Sequence, residues 1–265
     1  MMRDDDRVRL EAAYSRAFLE PARALIRVGH ASLEIEVDEA IDFDERPTLW
    51  IANHGGWLPF EIMFWALAGR EAFGPEVLPR CLVHDLFYEL LTRAPWVRDT
   101  AGALALPVGL LREPSRVEAG EHIAMFPEGA EGNCKPWWRA YETQHFHTGF
   151  ARLAAATGAR ILPCAIVGND ECAPVLSTLR WPKPLVGSVA PLPMPVPPLP
   201  TRWKVVFHAP LDPPPPDASR EDFSACAERA RAIIQSTLDR ETADRRFARV
   251  ARRVRAARAR LVRSP

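Results

Sequence analysis

The residues of this chain best suited to chemistry stand in two short stretches. The first runs Leu49-Trp50-Ile51-Ala52-Asn53-His54-Gly55-Gly56-Trp57-Leu58-Pro59-Phe60-Glu61. The second runs Ile123-Ala124-Met125-Phe126-Pro127-Glu128-Gly129-Ala130-Glu131-Gly132. In each, an apolar run breaks at polar residues and turns through glycines. A histidine at such a break is a candidate general base, because imidazole titrates near neutral pH. Taken alone, the first stretch also fits a histidine that merely caps a turn. The second stretch repeats the arrangement around an acid and shifts the balance towards chemistry.

Short apolar runs bounded by Gly and Pro signal strands, and Pro is accepted in the first turn of a helix. His54 is therefore expected at the carboxyl end of a strand, just before a helix, on the edge where α/β sheets bind ligands. Ahead of it, residues 7–29 read as a helix with Leu10, Tyr14, Phe18, Ala22 and Leu25 on one side. That helix either packs on the domain or lies in a membrane interface. Residues 32–37 alternate as a half-buried strand, and 42–46 form a turn. Residues 60–68 are apolar nearly all round, as in a buried or lipid-facing helix.

Further on, residues 83–93 are expected to be helical, with Phe87, Leu90 and Leu91 on one side. Residues 101–111 read as a strand and its exit, and 122–126 as the strand feeding Glu128. The stretch 135–147 is rich in aromatics and bases, and Trp137-Trp138 suggests an acyl or membrane-facing surface. His145 and His147 could pair on a metal, but zinc wants at least three protein ligands and no third is placed, so no metal is expected. Fourteen of the 26 prolines fall in residues 174–216. They exclude regular helix there and leave one strand, 203–208, in an extended excursion that covers the sheet or serves as a lid. Two helices close the chain, at 219–239 and 244–262.

The two stretches together resemble the glycerol-phosphate and lysophospholipid acyltransferase family. Its first motif stands here as Asn53-His54…Glu61 and its third as Phe126-Pro127-Glu128-Gly129. His147–Ala154 followed by Gly158–Gly168 is similar to the helix, glycine stop and strand after that third motif. The resemblance runs from about Ser32 to Leu211 and takes in 1-acylglycerol-3-phosphate acyltransferases and the mono- and diacylglycerol acyltransferase branch. It implies that His54 takes the proton from an acceptor hydroxyl and later protonates the leaving thiolate. It also implies an acyl-CoA or acyl-carrier-protein co-substrate, no enzyme nucleophile and no further cofactor. Asn53, Glu128 and Gly129 would form the acceptor side, and Arg112 is the nearest match to the second motif's arginine.

The sequence departs from the family at two positions. The usual acid partner of the histidine falls on Pro59, so either Glu61 serves instead or the pair is broken. Glu61 is the candidate. Glu131 stands where the third motif usually has a phosphate-gripping arginine; Lys135 or Arg139 could restore the charge, or the acceptor is a neutral lipid alcohol. His54-Gly55-Gly56 also suggests a serine-esterase oxyanion loop, but the chain has no Gly-x-Ser-x-Gly elbow.

The totals bound these readings. Hydrophobic residues make up 48% and charged residues 26%, ordinary for a globular protein. The five cysteines form no close pair, which suits a reducing compartment. The amino terminus has no signal-peptide core, and no apolar run approaches the ~20 residues that span a bilayer. The net charge of zero is a cancellation: residues 245–265 hold nine arginines and no acid. Between those arginines Phe247, Val250, Val254 and Leu261 form one stripe. Such a basic amphipathic helix suits an anionic membrane surface, nucleic acid, or simply solvent, and no nucleic-acid motif accompanies it.

The expected fold is α/β, a mixed central sheet flanked by helices in one domain. Its parts are an amphipathic helix at 1–30, the acyltransferase-like region at 31–212 and carboxyl-terminal helices with the basic tail at 213–265. The expected activity is acyl transfer to a lysophospholipid or glyceride hydroxyl by a cytoplasmic protein, peripheral on the inner face of the membrane. The alternative is an inactive family member that binds lipid or docks on membranes.

Overall fold

A computed structural model describes residues 4–43, 46–58, 60–95, 97–112, 117, 121–181 and 188–263 of the chain. Pro59, part of the turn expected at 42–46, the Phe87 side chain and the middle of the proline-rich stretch (182–187) lie outside them. The first helical segment is two helices, α1 (Asp4–Tyr14) and α2 (Glu20–Arg27), joined by a π turn at Ser15–Leu19. Pro21 is the physical reason: its ring lacks an N–H and would strike the carbonyl four residues back in a regular helix. Leu10, Tyr14 and Ala22 of the expected face are buried. Phe18 and Leu25 pack against the same core, so this segment rests on the domain.

The next elements are β1 (Ala31–Val37), β2 (Thr48–Ala52), α3 (Phe60–Phe73), β3 (Arg80–Val83), α4 (Asp85–Arg93), α5 (Arg98–Leu104) and β4 (Ala105–Pro107). Two expectations change here. The helix expected from residue 83 starts at Asp85, behind a four-residue strand too short to show alternation. The strand expected from residue 101 is the end of a helix followed by β4. Then come β5 (His122–Met125), α6 (Ala130–Asn133), α7 (Gly149–Thr157), β6 (Arg160–Val167) and α8 (Asn169–Cys172).

The proline-rich stretch holds β7 (Val175–Leu179) paired with β8 (Ala190–Pro193), a hairpin missing from the sequence reading, and then β9 (Thr201–Phe207). Helix α9 (Arg220–Glu241) starts where expected because Ser219 and Asp222 form a reciprocal capping box. Helix α10 (Arg246–Arg263) ends the described chain.

The seven-stranded sheet has the order β1-β9-β6-β2-β5-β3-β4. All neighbours are parallel except β9 against β6. The central strands are buried on both faces and divide their residues by the two-residue period of a strand. Leu49, Ile51, Ile123, Ile161, Ala165 and Val206 face α7, α9 and α10. Trp50, Ala52, Ala124, Leu162, Ile166 and Phe207 face α1, α2 and α3. The result is a mixed sheet between two helical layers, in which β2, β5 and β6 bring their carboxyl ends to one edge.

At the opposite end of β5, His122 packs its ring near Phe43 and Trp50, with centroids 5.1 and 6.5 Å away. Burial pushes its imidazole down to about 4. The unfolded chain takes up that proton near pH 6.5, so the fold loses stability as the pH falls from about 6.5 to about 4. The expected loss is about 1–3 kcal/mol. His122→Gln, which does not titrate, should flatten the stability profile in that window when denaturant midpoints are compared at pH 7 and pH 4.5.

Candidate active site

Strand β2 delivers Asn53 and His54 to the sheet edge. Asn53 is buried, and its side chain closes a ring with the backbone of Ile166. Its Nδ2 donates to the Ile166 carbonyl at 2.9 Å, and its Oδ1 accepts from the Ile166 N–H at 2.8 Å. Here Asn53 fastens β2 to β6 with both halves of its amide. The chain then turns through Gly55 and Gly56. A Cβ on Gly55 would stand 2.6 Å from Asp170 Oδ1, and Gly56 has φ +67°. Both positions exclude a larger side chain, the first by space and the second by backbone geometry.

Glu61 lies in the first turn of α3 and is 1% exposed. Its Oε1 lies 2.5 Å from His54 Nδ1. Apart from that contact, neither Glu61 oxygen has a hydrogen-bond partner among the described residues. A carboxyl group so enclosed needs a polar partner, and the His54 ring is the one beside it. The His54 ring stacks on Phe126 with centroids 4.2 Å apart and planes 13° apart, which fixes its orientation. Its side chain keeps 15% of its surface open. With Nδ1 against Glu61, Nε2 is the nitrogen left to exchange a proton with a substrate.

Glu128 follows β5 and is also 1% exposed. Its Oε1 accepts from the His54 N–H at 2.7 Å and its Oε2 from the Gln144 N–H at 2.6 Å. It ties the histidine's backbone to the loop after α6. Burial pushes its carboxyl above the ordinary value, against the opposing pull of Lys135 and the two amides. Gly132 is required beside it, since a Cβ there would meet Glu128 Cβ at 2.6 Å. Gly129, at φ +58°, is half-buried at the start of α6.

Lys135 is buried with its ammonium directed inward. Nζ donates to the His54 carbonyl and to the Gly132 carbonyl, and lies 3.4 Å from Asp170 Oδ1. Asp170 Oδ2 in turn accepts from the Tyr141 N–H at 2.9 Å. Tyr141 has φ +60°, the left-handed region a tyrosine rarely enters, and its Oη donates to Glu171. Asn169 donates to the carbonyls of Gly55 and Leu58. The His54 turn is therefore gripped on its N–H by Glu128, on its carbonyl by Lys135 and along its flank by α8.

The structure thus brings together Asn53, His54, Glu61, Glu128 and Lys135. Arg112 is exposed at the end of the 3-10 turn Val108–Arg112 that follows the carboxyl end of edge strand β4. Arg139 is paired with Glu142. Trp137 and Trp138 are half-buried: Trp137 packs towards Phe247, and Trp138 lies under the Arg258 guanidinium at 4.4 Å. His145 and His147 are exposed, with rings 5.5 Å apart. Among the described residues no group of three or more His, Cys, Asp or Glu is placed to hold a metal.

Asn169, Asp170 and Gln144 are absent from the sequence reading. The signal for two of them was available, because Asn169-Asp170-Glu171 follows directly on an eight-residue apolar strand. Polar residues at that edge belong to the site by the same reasoning that selected His54.

The central edge of this mixed α/β sheet thus carries a histidine, an adjacent buried carboxyl group and a glutamate-glycine turn. The family model described as Acyltransferase matches residues 34–167, about half of the chain, and the chain belongs to that family. Among curated proteins it is similar to an uncharacterized protein of Mycobacterium leprae, 32% identical over 212 residues. It is also similar to one of Mycobacterium tuberculosis, 30% identical over 213 residues. Each match covers 75% of this chain, whereas the chain spans only 57–58% of the length of those relatives. Among solved structures it resembles the 1-acyl-sn-glycerophosphate (LPA) acyltransferase PlsC of Thermotoga maritima. That match has a TM-score of 0.57 at 18% identity and covers 92% of this chain and 85% of the other. At that identity the shared property is the fold.

Proposed function

We propose that this protein transfers a fatty acyl group from an acyl thioester, acyl-CoA or acyl-carrier protein, to the hydroxyl of a lysophospholipid or glyceride. The observation that carries the reading is the 2.5 Å contact between His54 Nδ1 and Glu61 Oε1 at the edge where the sheet's central strands end. In this reading Nε2 of His54 takes the proton of the acceptor hydroxyl as its oxygen attacks the thioester carbonyl. The carbon–sulfur bond then breaks, and the same nitrogen returns the proton to the thiolate. Glu61 orients the ring and balances the transient imidazolium, as in other histidine–acid pairs. Asn53, Glu128, Lys135 and α8 hold the turn still, which is the condition for such a pair to act in register with a bound substrate.

The reading places the reaction at an anionic membrane surface. No helix among the described residues is long and apolar enough to cross a membrane. Helix α10 supports peripheral contact: Ala248 and Ala251 are buried, while residues 256–261 are exposed throughout. Each arginine near an anionic surface contributes about 1 kcal/mol to such docking.

The test is thiol release from a panel of acyl-CoAs with lysophospholipid, glycerol-phosphate and neutral glyceride acceptors, in wild type and His54→Ala. Acceptor-dependent release that disappears in the variant names the acceptor and supports the transferase. Lipid binding without release in either protein would replace this reading with the inactive lipid-binding member. The exposed Glu131 at the usual arginine position is the observation that favours that second reading.

A further inference from the structure

An open groove of about 580 Å³, bordered by Glu171 of α8, runs between the start of β9 and the first turns of α10. One wall is apolar, built by Trp137, Met194, Phe247 and Val250. Arg202 and Arg246 border it, and both are exposed with no acidic side-chain partner among the described residues. The acid that lines the groove, Glu171, is already committed: it accepts from Tyr141 Oη at 2.7 Å and pairs with Arg245 at 3.2 Å. The groove therefore offers two unspent guanidinium groups beside a hydrophobic wall, with its internal negative charge cancelled.

We propose that this groove binds a single-chain anionic amphiphile, with the head group between Arg202 and Arg246 and the alkyl chain along Trp137, Met194, Phe247 and Val250. Two arguments fix that class. Guanidinium pairs recognise phosphate and carboxylate oxygens, and exposed arginines beside apolar surface have no partner in the chain itself. The volume lies in the small-ligand range of about 300–1,000 Å³, which suits one chain with its head. The proposal stands on the groove alone and is independent of the acyl-transfer reading. It concerns a place other than the His54–Glu61 pair, because none of His54, Glu61 and Glu128 lines the groove: Asp170 backs Gly55, and the next residue, Glu171, lines the groove.

The experiment is calorimetric titration of the intact chain with monomeric dodecyl phosphate and with laurate, both below their critical micelle concentrations and without vesicles. Dodecyl maltoside and inorganic phosphate serve as neutral-head and chain-free probes. The expected result is saturable binding of at least one of the two anionic amphiphiles, and whichever binds more tightly identifies the head group. The double variant Arg202→Ala/Arg246→Ala should raise Kd tenfold or more. Val250→Arg, which fills the apolar wall, should also weaken binding despite adding positive charge. Arg249→Ala/Arg253→Ala removes the same charge from α10 outside the groove lining and should leave Kd within twofold. The proposal fails if no amphiphile binds, or if inorganic phosphate or dodecyl maltoside binds as tightly. It also fails if Arg202→Ala/Arg246→Ala has no effect, or if the control pair weakens binding equally, since that would mean general adsorption to a basic helix.

Discussion

His54→Ala is expected to lower acceptor-dependent thiol release by about 10³-fold or more, within the range that general acid–base catalysis supplies and loss of positioning extends. Glu61→Gln should cost about 10²–10³-fold, although it is nearly isosteric and touches no substrate in the proposed reaction. The amide cannot balance an imidazolium, and it can present its NH₂ to Nδ1 and reverse the ring's proton arrangement. Glu61→Asp tests geometry separately. It keeps the charge but withdraws it by one methylene from a contact of 2.5 Å, so a loss between wild type and Glu61→Gln is expected. The double variant His54→Ala/Glu61→Gln should be no slower than His54→Ala, because two groups that act as a unit are not additive. Melting temperatures belong beside the rates, since His54→Ala leaves Glu61 buried without its polar partner. Stability should therefore recover in the double variant while activity does not. Glu61→Gln within threefold of wild type would remove Glu61 from the mechanism.

The sequence reading located this pair by two routes that depend on different physics. His54 was legible because the apolar run Leu49–Ala52 ends abruptly and two glycines follow, a local pattern that a buried strand and a tight turn impose. Glu61 was legible only as the nearest acid, and its approach to His54 depends on how the chain passes from the turn into α3. The central strands were also legible, since β2, β5 and β6 are short, apolar and punctuated. The edge was harder: Arg80–Val83 is four residues joined almost directly to a helix, and Ala105–Pro107 is three. Neither is long enough for periodicity to speak. The hairpin of β7 and β8 was hidden by its prolines, which exclude helix but permit edge strands. It is held from outside, for instance by Thr178 Oγ1 donating to the Cys134 carbonyl at 2.6 Å. The buried grip on the His54 turn was the least legible part. Lys135 and Asp170 are 35 positions apart, and their burial as a pair is set by the fold rather than by any local pattern.

That grip yields the second large effect. Lys135→Met is expected to destabilise the fold by about 3–5 kcal/mol, the usual consequence of removing one partner of a buried ion pair. For a chain of this size that is a fall in melting temperature on the order of 10 °C. The side chains of Lys135 and Asp170 are 2% and 5% exposed, so water cannot replace the lost ammonium. Asp170→Asn still offers an acceptor to the Tyr141 N–H, and adding it to Lys135→Met should recover part of the loss. That recovery is a coupling an exposed lysine would not produce. The pH dependence has a definite sign. Burial already pushes the Glu128 carboxyl up, and Lys135 opposes that push. Without the ammonium the folded carboxyl rises further above its unfolded value of about 4.3, so the variant loses stability progressively as pH rises above that value. This Glu128-linked part of the difference from wild type should be small near pH 4.5 and full at pH 7, while the part from Asp170 and the two backbone carbonyls persists at both. A lysine that instead gripped an acceptor phosphate would raise KM for phosphate-bearing acceptors and leave the melting temperature where it was. Denaturation at the two pH values, paired with KM for a phosphate-bearing and a neutral acceptor, separates a lysine that builds the turn from one that binds the substrate.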